Sequence, residues 1–136
     1  MRVKGIRGEL YFHVIGRIDR KLYHSDGRTV VPGKELKAGG YNKKTSRGKA
    51  RRVPVLCGFG MHASKEFSHA ASFVFPFCGT WICIVRLWGN VKNKNYKSAG
   101  MRRKVVAMRQ CDGTIRASES SQTVYNWVMA NPWSPE

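Results

Sequence analysis

Trp81-Ile82-Cys83-Ile84-Val85-Arg86-Leu87-Trp88 is the stretch on which the fold turns, because Arg86 is its only polar residue. A strand with one face in water alternates apolar and polar positions. This run does not alternate, so it predicts a central strand buried on both faces. Apolar structure must then cover each side. Cys78 and Cys83 flank the start of this strand and read as small apolar residues.

Immediately upstream, Phe67, Ala70, Ala71 and Val74 recur at i, i+3, i+4 and i+7, which makes one apolar helical stripe. Ser64 is the expected N-cap, with Glu66 placed in the first turn against the helix dipole. Pro76 stops this helix and Gly79 begins the turn into the strand. Downstream, Gly89-Asn90 ends the strand, residues 91–101 are polar and basic, and Arg102-Arg103-Lys104 runs into a second strand at 105–108. Cys111-Asp112-Gly113-Thr114 reads as a turn. A short helix follows at about 121–130 with Val124, Trp127 and Val128 on one face, closed by Pro132 and Pro135.

The first third reads as strands joined by tight turns. Residues 10–15 are aromatic and β-branched, with Gly16 at their end, and runs at 21–24 and 29–31 bracket Ser25-Asp26-Gly27-Arg28. An Asp-Gly between two such runs signals a hairpin, since glycine takes the positive φ that the turn demands. Residues 53–59 resume a strand. The expected fold is α+β: a single domain over residues 1–136, a mostly antiparallel sheet, one central helix and a short C-terminal helix.

Charge sets the expected partner. Twenty-five Lys and Arg against eight Asp and Glu give a formal charge of +17 on 136 residues. A domain so charged repels itself, and a polyanion relieves that strain while releasing its own condensed counterions. The 42% hydrophobic content nevertheless lies above the disordered range, so the chain should fold around an apolar centre. The longest mainly apolar stretch, 70–87, is broken by Ser72, Pro76, Gly79, Thr80 and Arg86, which argues against a membrane span. The start of the chain has basic residues but no apolar core of a secretory signal, and the four cysteines contain no C-x-x-C pair. Free thiols in a cytoplasmic setting are expected.

Two cationic clusters carry the binding prediction. The first lies in a long, flexible basic loop at about 34–52, where Gly39, Gly40, Ser46 and Gly48 separate eight cations opposed by Glu35 alone. Its candidate phosphate contacts are Lys43, Lys44, Arg47, Lys49, Arg51 and Arg52. The second supplies Lys92, Lys94, Lys97, Arg102, Arg103 and Lys104. Tyr41 and Tyr96 lie among these cations as candidate stacking positions, a pairing that suits a groove following a phosphate backbone past exposed bases. No zinc-finger spacing or helix-turn-helix pattern supplies a base-reading element, so contact with DNA or RNA is expected to depend little on sequence.

His62 is the candidate catalytic residue. It sits in the turn Cys57-Gly58-Phe59-Gly60-Met61-His62-Ala63-Ser64, just ahead of the expected helix, where it could meet an anion or move a proton near neutral pH. The same histidine could equally be hydrogen-bonded within the turn. Cys57, His62, His69 and Cys78 are separated by four, six and eight residues, which matches no usual zinc spacing, and no metal is expected. The eight acids are scattered, with no converging carboxylates for two-metal chemistry. There is no P-loop or dinucleotide fingerprint, and no cofactor is expected.

Residues 55–108 resemble a small domain of unknown function found in phage and prophage proteins. The matching features are Leu56-Cys57-Gly58-Phe59-Gly60-Met61-His62-Ala63-Ser64, a helix with Ala70-Ala71, a strand at 82–87, Gly89, Val91, Lys97-Ser98-Ala99, and Arg103 before Val105. Tyr23-His24-Ser25-Asp26-Gly27-Arg28 fits its usual opening. The 34–52 loop is more basic than that pattern, so nucleic-acid binding does not follow from the resemblance. The layout is also reminiscent of ADP-ribosyltransferase cores, whose late catalytic glutamate is unmatched: the strand offers Gln110, and Glu119 lies farther on.

Three readings follow. The first is a small basic viral or phage accessory protein that binds nucleic acid, DNA rather than RNA, through phosphates. The second is an enzyme that modifies nucleic acid or a nucleotide, of ADP-ribosyltransferase-like or base-directed type, centred on His62. The third is an inhibitor that covers an acidic host defence protein.

Overall fold

The double-sided burial expected of residues 81–88 is realised in the computed structural model, which describes residues 1–15, 17–18, 21–22, 32–33, 35–37, 61–74 and 80–134. Strand β1 (Leu10–Ile15) is followed by the short pairs β2 (Arg17–Ile18) and β3 (Lys21–Leu22), then β4 (Glu35–Lys37) and β5 (Met61–Ala63). Helix α1 (Phe67–Val74) leads to β6 (Trp81–Trp88), β7 (Lys92–Lys94), β8 (Lys97–Gly100), β9 (Arg102–Gln110) and helix α2 (Ser121–Ala130). The main sheet runs β1-β6-β9-β4, and a second sheet runs β5-β8-β7. Every pairing among the described residues is antiparallel, and with the two helices the fold is α+β.

Each face of β6 builds its own core. Ile82 and Ile84 join Leu10, Phe12 and Val14 of β1 beneath Phe67, Ala70 and Ala71 of α1 and Val124 and Val128 of α2. Phe67 meets Phe12 edge to face, with ring centroids 6.0 Å apart. On the opposite face, Trp81, Cys83, Val85 and Leu87 pack with Tyr11, Ile15, Val105, Met108 and Ala63. Burying two faces at roughly 25 cal/mol per Å2 of apolar area is what holds so strongly charged a chain together.

The register of β6 on β9 slips once. Ile84 lies opposite Ala107 but Val85 opposite Val105, so Val106 is an extra residue, and it projects into solvent. Such a bulge exchanges the faces of every residue beyond it.

Several local expectations change. Ser64 is not the helix cap: its backbone pairs with Phe12, and its hydroxyl donates to the Tyr96 carbonyl at 2.7 Å. The first helical amide, on Phe67, instead donates to the Ser121 hydroxyl (3.0 Å), which itself donates to Glu66. One helix start is thus capped by the start of the other. Residues 34–52 are not loop throughout. Glu35–Lys37 adds β4 to the free edge of β9, where Glu35 lies opposite Lys104 and reaches Arg102 at 3.2 Å. The polar stretch at 91–101 forms the β7–β8 hairpin, whose tip residue Asn95 has φ +48°. Gly89 begins the connection into it at φ +83°, and a Cβ there would lie 2.8 Å from that of Met101. The C-terminal helix runs as expected, with Ser120 accepting from the Thr123 amide at its start. The expected Asp-Gly hairpin at 25–28, the strands at 29–31 and 53–59, and the basic residues at 43–52 lie outside the described residues.

Candidate nucleic-acid interface

The three-stranded sheet places His62 among cations. On β5 and β8, His62 lies opposite Ala99, and on β8 and β7, Ala99 lies opposite Lys92. Two residues nearer the tip, Lys97 faces Lys94. Directly opposed residues share a face, as do residues two apart on one strand. His62, Lys92, Lys94 and Lys97 therefore occupy one face of this sheet. The alternate positions, Ala63, Ser98 and Asn93, occupy the other, where Ala63 enters the core and the Ser98 hydroxyl donates to Asn93 at 2.6 Å.

Charges opposed across an antiparallel pair repel. Lys94 against Lys97 is such a pair, with Lys92 about 7 Å along the same strand. Lys92 and Lys94 are exposed, while Lys97 and His62 are half-buried. Among the described residues, neither Lys92 nor Lys94 has an ion-pair partner. An anion resting on this face would remove the repulsion.

Tyr96 stands at the hairpin tip beside these lysines, with 60% of its surface exposed. Its ring meets that of His69 at 77° and 4.4 Å between centroids, and its carbonyl accepts from Ser64. The tip is thus tied both to α1 and to the β1–β5 junction. His69 was legible only as a residue off the apolar stripe of the helix; nothing local marked Tyr96 as its neighbour.

The second cationic cluster does not form one surface. Arg102 and Lys104 project from the helix-bearing face of the main sheet, in register with Trp88 and Arg86, and Glu35 partly neutralises Arg102. Arg103 departs from the expectation altogether. It faces the other way, is 2% exposed, and its Nη1 donates to the His62 carbonyl at 2.6 Å. It is an internal brace between β9 and β5 rather than a surface cation, because the Val106 bulge turns it into the core.

Cysteine chemistry finds no support at the core. Cys83 is fully buried opposite His13, and burial pushes its thiol up to about 12, with the charge of Arg103 only partly opposing the shift. It is protonated and inert at neutral pH. Cys57 and Cys78 lie outside the described residues. Among the described residues, no group of three His, Cys, Asp or Glu side chains could hold a metal ion, and no helix is long and apolar enough to cross a membrane. No protein-family model, curated protein or solved structure matches this chain.

Proposed function

We propose that this chain is a small basic accessory protein of viral or phage type that binds nucleic acid, DNA rather than RNA, through phosphate contacts largely independent of sequence. The observation that carries the reading is the convergence of Lys92, Lys94 and Lys97 on one face, with two of them directly opposed. The +17 charge of the whole chain supplies the long-range attraction, and the basic residues at 43–52 add candidate contacts. Filter binding of a duplex oligonucleotide across a salt series tests it. Affinity should fall linearly with the logarithm of salt, and Lys94→Ala should reduce the slope by about 0.9, the share of one phosphate. Affinity that is constant from about 50 to 200 mM salt would reject the proposal.

A second reading, catalysis at His62, is favoured by one further observation: His62 and Lys92 lie on one face in the same cross-strand row, two strands apart with the buried Ala99 between them. His62→Ala would then abolish turnover of a bound nucleotide or nucleic acid while leaving affinity and folding intact.

A further inference from the structure

The hairpin tip carries the proposed function further. Resting on that reading, we infer that the β7–β8 hairpin takes single-stranded nucleic acid, with an unpaired base lying on the ring of Tyr96 and the adjoining phosphates on Lys94 and Lys97.

Tyr96 is the most exposed large apolar side chain among the described residues, and its position is held rather than free. The Ser64 hydroxyl fixes its backbone, and the His69 ring meets it at nearly a right angle. In a perpendicular contact one ring presents its edge, so whichever ring that is, at least one face of the tyrosine is left clear of the imidazole. An aromatic ring held in place with an open face loses little further entropy when a flat group stacks on it.

The partner must supply a free aromatic face next to negative charge. In a duplex, each base face is covered by its neighbours, and a protein ring reaches one only by unstacking it. A single strand presents bases and phosphates together. Lys97 follows Tyr96 directly, and Lys94 faces Lys97 across the hairpin, so cations flank the ring within the reach of one or two nucleotides. A two-stranded ribbon can enter a major groove, but there Tyr96 would meet base edges, because the base faces are covered by stacking.

The test uses the full chain with three fluorescent probes of equal length: oligo-dT, oligo-rU and a self-complementary DNA hairpin. Anisotropy should show tighter binding of one or both single strands than of the duplex. Tyr96→Ala should weaken single-strand binding about 5- to 150-fold, the usual loss on removing one stacked ring, while leaving the salt slope unchanged. Tyr96→Phe should restore affinity, and Tyr96→Leu should not. Photocrosslinking of 5-iododeoxyuridine oligonucleotides to the unmodified protein should label Tyr96, a readout that needs no variant to fold. His69→Ala should lose part of the same affinity, recovered by His69→Phe, which keeps a ring against Tyr96. Equal or tighter binding of the duplex, or Tyr96→Ala at parental affinity with crosslinks elsewhere, overturns the inference and leaves the proposed function standing. Failure to bind all three probes overturns both.

Discussion

Arg103 separates a structural cation from a binding one, and the two roles predict opposite results for one substitution. Its Nη1 bond to the His62 carbonyl is charge-assisted, and such bonds contribute about 1.5–3 kcal/mol. Arg103→Ala removes that bond, leaves the carbonyl of β5 without this donor and empties the space filled by the side-chain stem. For a chain of this length the bond alone corresponds to a fall in Tm of about 5–10 °C. Arg103→Met keeps most of the apolar volume and relieves the desolvation of a buried guanidinium, so it should lose less than alanine. Thermal unfolding followed by circular dichroism measures both. The salt dependence of oligonucleotide binding provides the second axis. Both variants should keep the parental slope, whereas removing a residue seated on a phosphate would reduce the slope by about 0.7–0.9. An Arg103→Ala protein with unchanged Tm and a diminished slope would refute the internal-brace assignment, and with it the face assignment of β9.

Glu9 gives a stability change at acid pH. Burial by itself would raise its carboxyl, but the hydrogen bond and charge of the Met1 ammonium at 2.9 Å, with Lys65 and Arg2, outweigh that and hold it below the usual carboxylate range. The native state therefore prefers the charged form: its contribution is present above the unfolded-state pKa and disappears as pH falls through the lower folded one. Glu9→Gln should flatten the acid limb of a Tm-against-pH curve, and an unchanged limb would count against the ion pair. Cys83 acts at the alkaline end. Its thiol is raised to about 12, so its contribution is intact below the unfolded value near 9 and is lost as pH climbs toward 12. At pH 8, peptide mapping after iodoacetamide treatment should find Cys83 unmodified in the native protein and modified in denaturant. Native labelling would show that the strand face is open.

Much of the scaffold was readable because its signals are local. The uninterrupted apolar run at 81–88 called for cover on both sides, and it has two separate cores. The stripe at Phe67, Ala70 and Ala71 and the pair Val124 and Val128 are set by the pitch of a helix and needed no knowledge of partners. Capping was less readable. Ser64 and Glu66 have the residue types of a helix start, but the hydroxyl of Ser64 is taken by Tyr96, which is distant in sequence, and Ser121 replaces it. The hairpin at 91–101 was missed because its lysines and asparagines lack strand propensity; it forms by pairing with β5, whose third strand completes a sheet around it.

The candidate site shows the same division. Charge, aromatic content and the positions of Lys92, Lys94, Tyr96 and His62 belong to the chain as written, and they alone select a polyanion as the expected partner. Which of these residues meet was decided by strand register. Counting back from Cys83 opposite Met108 without the extra Val106 would set Lys104 against Leu87 in the core and turn Arg103 outward; the bulge reverses the two. Composition is summed over residues regardless of their order, and periodicity is fixed by near neighbours. Facing is fixed by pairing between strands far apart in the chain, where a slip of one residue sends a cation to the opposite side of the sheet.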